Sequence, residues 1–230
     1  MEKLRRKFEI SKSGFTLAEV LMTLVIVGVV AAFTIPTVIN TYVESSTVAK
    51  VKKGLSILGQ AKKLAEAQNG SIEGWDFSDG ATAENAEKFW NYVKPYFSIV
   101  KDCGFGHDCY QSDGVYLLKG NKWDINFNIS TSHYYYKFIL ADGSVMWLRT
   151  AIGGRCADSD AGAGVNNICA MFWYDVNGIK KPNTFGKDVF RYAVTVNGVY
   201  PDMNNDCNKN SNGWGCAGYI IKHNNMDYLH

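Results

Sequence analysis

Glu19 is the residue whose type and position ask most of their surroundings. It is the single charged side chain in the 25-residue run FTLAEVLMTLVIVGVVAAFTIPTVI, residues 15–39. A carboxylate set in an apolar span costs roughly 3 kcal/mol or more, so something must compensate it. Two arrangements would. The side chain lies near the interface and snorkels to water, or it meets a cation that arrives when the chain assembles.

The remaining polar clusters offer less. His107, His133, His223 and His230 stand in unrelated contexts, and no G-x-S-x-G, P-loop, H-E-x-x-H or dinucleotide fingerprint occurs. The sequence therefore predicts no enzyme. Asp175, Asn177, Asn183 and Asp188 fall in one loop, DVNGIKKPNTFGKD, between two strand-like runs. Oxygen ligands at alternating positions beside a glycine turn suit Ca²⁺, although the EF-hand's third alternating acid and terminal Glu are missing. The competing reading is an Asn-Gly hairpin with polar loop residues. No cofactor is certain, and calcium is the candidate for this loop.

Cys103, Cys109, Cys156, Cys169, Cys207 and Cys216 all follow the apolar run. If that run is exported past the membrane, the cysteines lie in an oxidising compartment, where three disulfides are expected. Six cysteines allow 15 connectivities; proximity favours Cys103–Cys109, Cys156–Cys169 and Cys207–Cys216. Zinc on Cys103, His107 and Cys109 is the rival, but the paired C-x-x-C spacing is absent.

The elements that position these residues follow from composition and period. The chain has 24 Lys+Arg, 22 Asp+Glu, 47% hydrophobic and 13% aromatic residues, which excludes disorder and gives no basic excess calling for nucleic acid. Five basic residues and two acidic ones fall in residues 1–14, and the rest of the chain is nearly neutral. A basic leader before an apolar run is a targeting signal. As a helix, residues 15–39 span ~37 Å at ~1.5 Å per residue, enough for a ~30 Å hydrocarbon core. The run exceeds the ~7 to 15 residues of an ordinary signal core, which argues against ordinary signal peptidase.

From Thr41 to Gln68 apolar residues recur every three or four positions (Val48, Val51, Leu55, Leu58, Ala61), marking an amphipathic helix. Lys50, Lys52, Lys53, Lys62 and Lys63 read as its solvated face. One helix from Phe15 to Gln68 is predicted, then another over Ala83–Val93 closed by Pro95. Strands are predicted at Trp123–Ile129, Tyr134–Leu140, Ser144–Arg149, Ile168–Val176, Val189–Val194 and Gly218–Lys222, the second and third joined as a hairpin. Gly70–Gly80 and Gly153–Gly164 read as flexible loops. The expected fold is α+β, a long helix whose apolar stripe lies on an antiparallel sheet.

The string Lys12-Ser13-Gly14-Phe15-Thr16-Leu17-Ala18-Glu19-Val20 resembles the class III signal of type IV prepilins and type II secretion pseudopilins. Pro36 matches the proline many of those proteins carry late in the apolar segment. The resemblance implies a pilin-like fold, with residues 1–14 a removable leader, 15–39 the transmembrane and assembly helix, and 40–230 the globular ectodomain. It implies cleavage between Gly14 and Phe15 by prepilin peptidase and N-methylation of Phe15. Glu19 of one subunit would then pair with the new amine of a neighbour. The implied partners are prepilin peptidase, other copies or related pilins, and an inner-membrane assembly platform. The implied location is the bacterial cytoplasmic membrane, then a periplasmic or extracellular filament. A C-terminal disulfide loop such as Cys207–Cys216 is similar to one that pilins often close, and the 175–188 loop loosely resembles the calcium loop of the major secretion pseudopilin. Three functions stay open: a subunit of a type IV pilus-like filament, a secretion pseudopilin, or a monomeric single-pass binding protein.

Overall fold

The computed structural model describes residues 14–230 apart from 79, 107, 110–113, 124–133, 158–164 and 205–206. His107, His133, residues 158–164 of the Gly153–Gly164 loop, and all of the strand expected at Trp123–Ile129 save Trp123 lie outside the described residues. The chain divides into two compact units, Met1–Val43 and Glu44–His230.

The first helix, α1, runs Leu17–Asn69, close to the range its periodicity predicts. In the first unit it exposes side chain after side chain, Leu17 at 77% and Phe33 at 77% among them. Its most apolar stretch has mean hydropathy 2.4 and none of it is buried, so the helix is long and apolar enough to cross a membrane. Its threonines suit that setting because their hydroxyls turn back on the helix. Thr23 donates to the Val20 carbonyl at 2.9 Å, Thr34 to that of Val30 at 2.9 Å and Thr41 to that of Thr37 at 3.0 Å. The helix continues through Pro36.

In the second unit α1 buries Val48, Val51, Gly54, Leu58, Ala61 and Ala65, one face at helical spacing. It packs with α2, Ala83–Val93, whose N-cap Thr82 accepts from the Asn85 backbone N–H at 3.1 Å and whose Phe89 and Trp90 are fully buried. Gly54 is required by packing, since a Cβ there would lie 2.7 Å from the Tyr174 ring. Beside it the Tyr192 hydroxyl donates to the Val51 carbonyl at 2.8 Å.

Six strands form one antiparallel meander in chain order: β1 Ile99–Gly104, β2 Tyr136–Leu140, β3 Val145–Thr150, β4 Ile168–Asp175, β5 Val189–Thr195 and β6 Val199–Pro201. One face, with Phe138, Leu148, Phe172, Tyr174 and Tyr192, joins the helices in the main core. The other, with Trp147, Met171, Trp173 and Val189, is covered by Val115 and Phe185, so β3, β4 and β5 are buried on both faces. The fold is therefore α+β, as expected, with a second apolar layer behind the sheet.

Three expectations are corrected. Gly218–Lys222 is not a strand but part of helix α3, Cys216–His223. Cys216, Ala217 and Ile220 are buried at helical spacing, the tilted rings of Tyr219 and His223 lie 4.4 Å apart, and left-handed Asn224 ends the helix at φ 59°. The α1 lysines do not all lie on the solvated face: Lys52, Lys53 and Lys63 are exposed, but Lys62 is not. Lys62 is only 6% exposed and donates to Glu66 at 2.7 Å and to the Val196 carbonyl at 3.1 Å. Lys50 reaches the Val176 carbonyl at 2.8 Å, Lys52 the Asn224 amide oxygen and Lys53 the Asp142 carboxylate at 2.7 Å. Within Gly70–Gly80, Ile72, Trp75 and Phe77 are buried rather than held in a loose loop.

Asp142 gives this docking a pH signature. Burial raises its pKa, but hydrogen bonds from Lys53 and Ser144 outweigh that and bring it from 3.8 down to about 2. A depressed carboxylate adds stability above its unfolded pKa and loses it as the pH falls through the folded one. Because the pair is solvent-screened, the stability lost from this group between pH 3.8 and about 2 should be about 1 kcal/mol or less. Asp142→Asn should flatten that segment of the urea-derived stability against pH and lower stability at pH 7. An unchanged slope would assign the acid transition to other groups.

Candidate processing and assembly site

The junction singled out by sequence lies where the helix begins. Residues 14–16 are not helical, and Phe15 is 88% exposed. The Thr16 carbonyl accepts the first intrahelical bond, from the Val20 N–H at 3.1 Å, which makes Thr16 the N-cap. Its hydroxyl accepts from the Glu19 N–H at 3.2 Å, while Glu19 Oε2 accepts from the Thr16 N–H at 2.8 Å and from the Thr16 hydroxyl at 2.7 Å. This reciprocal pair is a capping box.

The box explains why the helix starts one residue after Thr16 and leaves the Gly14–Phe15 bond in non-helical chain. Among the described residues nothing lies within 4 Å of where a Cβ on Gly14 would stand. Glu19 also sits in the first turn, where a negative charge complements the helix dipole. Among the described residues its Oε1 has no hydrogen-bond partner. Thr16 was missed in reading the sequence as a function, although Thr-x-x-Glu before an apolar run is itself a sequence signature of a helix start.

The six cysteines form three disulfides: Cys103–Cys109, Cys156–Cys169 and Cys207–Cys216. Each closes a loop between neighbours in sequence. With Cys103 and Cys109 joined, neither offers a thiolate, which removes the zinc reading.

The structure does gather Asp175, Asn177, Asn183 and Asp188. Asp188 accepts from the Asn177 side chain at 2.9 Å, from the Asn183 N–H at 2.8 Å and from the Thr184 N–H. The Asn177 N–H donates to Asp175 at 3.2 Å, and the Asn183 amide nitrogen, turned inward, donates to Asp175 at 3.1 Å. Burial pushes the Asp188 carboxyl up, against the lowering effect of those N–H donors. A cation needs lone pairs facing a common centre, whereas the Asp188 oxygens are occupied by N–H donors. The arrangement does the work of a loop clasp. Among the described residues no group of three or more His, Cys, Asp or Glu is placed to hold a metal.

Residues 11–35 match the family model of the prokaryotic N-terminal methylation motif. No curated protein and no solved structure gives a match. The matched stretch contains Gly14, Phe15, the Thr16–Glu19 capping box and the apolar half of the first unit's helix. The chain therefore carries, over residues 11–35, the N-terminal methylation motif that is the class III signal peptide of type IV pilins and pseudopilins.

Proposed function

We propose that the chain is a structural subunit of a type IV pilus-like filament. Prepilin peptidase cuts between Gly14 and Phe15, Phe15 is N-methylated, and subunits polymerise through the apolar helix. Residues 1–14 are then the leader, 15–39 the membrane and assembly helix and 40–230 the globular part. The observation that carries this reading is the state of Glu19: one oxygen is held by its own N-cap and the other has no partner among the described residues. Cleavage creates an ammonium at Phe15, and the amine of a neighbouring copy is a cation matched to that open oxygen. Burying both charges together avoids burying either alone, so the pair acts chiefly as a register device, while apolar packing supplies cohesion.

The subunit would wait in the bacterial cytoplasmic membrane for an assembly platform and then enter a periplasmic or extracellular filament. A secretion pseudopilin is the alternative. What favoured it was a calcium loop, and the N–H donors on Asp188 weaken that case; the three-disulfide globular unit favours a pilus-like or minor subunit. Sequencing the N-terminus of the mature protein tests the proposal. N-methylated Phe15 is expected, in material that pellets as filaments. A retained Met1 in a monomeric membrane protein would overturn it in favour of an anchored binding protein.

A further inference from the structure

The loop between β4 and β5 is braced more heavily than a solvated turn requires. Asp188 is only 4% exposed and takes N–H donors from Asn177, Asn183 and Thr184, and the buried Asp175 takes others from Asn177 and Asn183. Gly178, at φ 76°, stands so near the Gly143 carbonyl that a Cβ has no room there. What these contacts hold out is the tip Ile179-Lys180-Lys181, all three residues exposed and Ile179 by 59%. A single exposed isoleucine is ordinary on a protein surface. An isoleucine followed by two lysines on a braced tip combines the two chemistries a lipid surface takes, an apolar group for the acyl boundary and cations for the headgroups.

The position of the tip matches that chemistry. The chain enters Glu44–His230 at Glu44, five residues past Ile39, and five residues reach at most ~18 Å. The end of the unit that holds Glu44 therefore stays close to the bilayer whenever the apolar run is in lipid. Tyr42, 73% exposed, is of a type that collects at headgroup level. Three contacts tie the loop to this end. Lys50 donates to the Val176 carbonyl at 2.8 Å, the Tyr228 hydroxyl donates to the Gly186 carbonyl at 2.6 Å, and His230 meets Glu44 at 2.9 Å. Lys222 is exposed on α3 two residues before Asn224, which accepts from Lys52, so another lysine belongs to the same end. Among the described residues there, Glu44 faces His230, Asp142 faces Lys53, and the exposed lysines outnumber the exposed Asp227.

We propose that the Ile179-Lys180-Lys181 tip is a membrane-contact site that takes anionic phospholipid headgroups while the subunit stands in the bilayer. The inference rests on the membrane stage of the reading above and not on filament formation. Photo-crosslinking of the full-length chain tests it, in phosphatidylcholine vesicles with and without phosphatidylglycerol. The probe is p-benzoylphenylalanine in place of Ile179 or, as a control, of the exposed Asn197, in the β5–β6 turn whose Val196 carbonyl meets Lys62 further along α1. Phospholipid adducts are expected at position 179 and not at 197, at least about fivefold more abundant with phosphatidylglycerol than without, and fewer as salt rises. Lys180→Glu with Lys181→Glu should cut those adducts at least about tenfold and leave the melting temperature unchanged. Equal adducts at the two positions, none at 179, or adducts indifferent to phosphatidylglycerol and to the lysine reversal would overturn the proposal. A chain that does not float with the vesicles at all fails the membrane reading itself, and flotation separates that result from an inserted chain whose tip stays in water.

Discussion

Glu19→Gln should leave the chain inserted, its helix start intact and its globular unit folded, and yet nearly abolish filaments. Glutamine suits the third helical position of a capping box, so the bonds from the Thr16 N–H and hydroxyl can survive the change. What it removes is the charge. The neighbour's amine would then be buried without a counter-ion, and breaking a buried pair in this way costs about 3–5 kcal/mol. At 1.4 kcal/mol per tenfold, that lowers each subunit's association more than about a hundredfold. Thr16→Ala makes the opposite change: it loses the cap, worth about 1 kcal/mol, and keeps the carboxylate. Its filaments should be fewer but present. The measurement is sheared filament against membrane-bound subunit, with the melting temperature of each variant as a check on folding. Wild-type filament numbers from Glu19→Gln would reduce Glu19 to a helix cap and remove its role in assembly.

Two different physical signals decided how much of this could be read from the sequence. Long periodic segments were legible: α1, α2 and the strands β2 to β5 fall close to where their apolar spacing sets them, because each buries a face whose period spans many residues. The eight-residue helix α3 was not. Gly218 to Lys222 is too short for its period to separate strand from helix, and the choice is made by tertiary contacts, such as Gly218 lying against the backbone of Asp202. Strands β1 and β6 escaped notice for the same reason, since β1 carries two register shifts and β6 spans three residues. Lys62 shows a further limit. Nothing local distinguishes it from Lys63, yet one is buried between Glu66 and Val196 and the other is exposed. The N-terminal methylation motif was legible as well, because its residue types are set within one short stretch of chain, residues 11–35. The capping box within it needed only attention to the i, i+3 spacing of Thr16 and Glu19.

The largest stability effect should come from a place with no sequence signature, the pair Arg191–Asp202 behind the sheet. Their side chains are 4% and 0% exposed and meet at 3.2 Å. The Arg191 guanidinium also lies 4.6 Å from the centre of the Trp214 ring and 5.7 Å from that of Trp173, and Asp202 accepts from the Asn204 N–H at 3.0 Å. The two residues are tied a second time through the backbone, since the Asp202 N–H donates to the Arg191 carbonyl at 3.0 Å. This cluster joins β5 to the stretch that precedes α3. Asp202→Ala removes the carboxylate that faces a buried guanidinium, and removing one member of a buried pair costs about 3–5 kcal/mol, a large part of the roughly 5–15 kcal/mol that holds a domain folded. The exposed pair Lys88–Glu84, a single helical turn apart, should be worth a few tenths of a kcal/mol by comparison. Urea unfolding of the disulfide-intact protein measures both. The double change Arg191→Met with Asp202→Leu should recover most of the loss, because it removes both charges and keeps apolar contact with Trp173 and Trp214. If Asp202→Ala costs under about 1 kcal/mol, the guanidinium is held by its two indole rings and the carboxylate is dispensable.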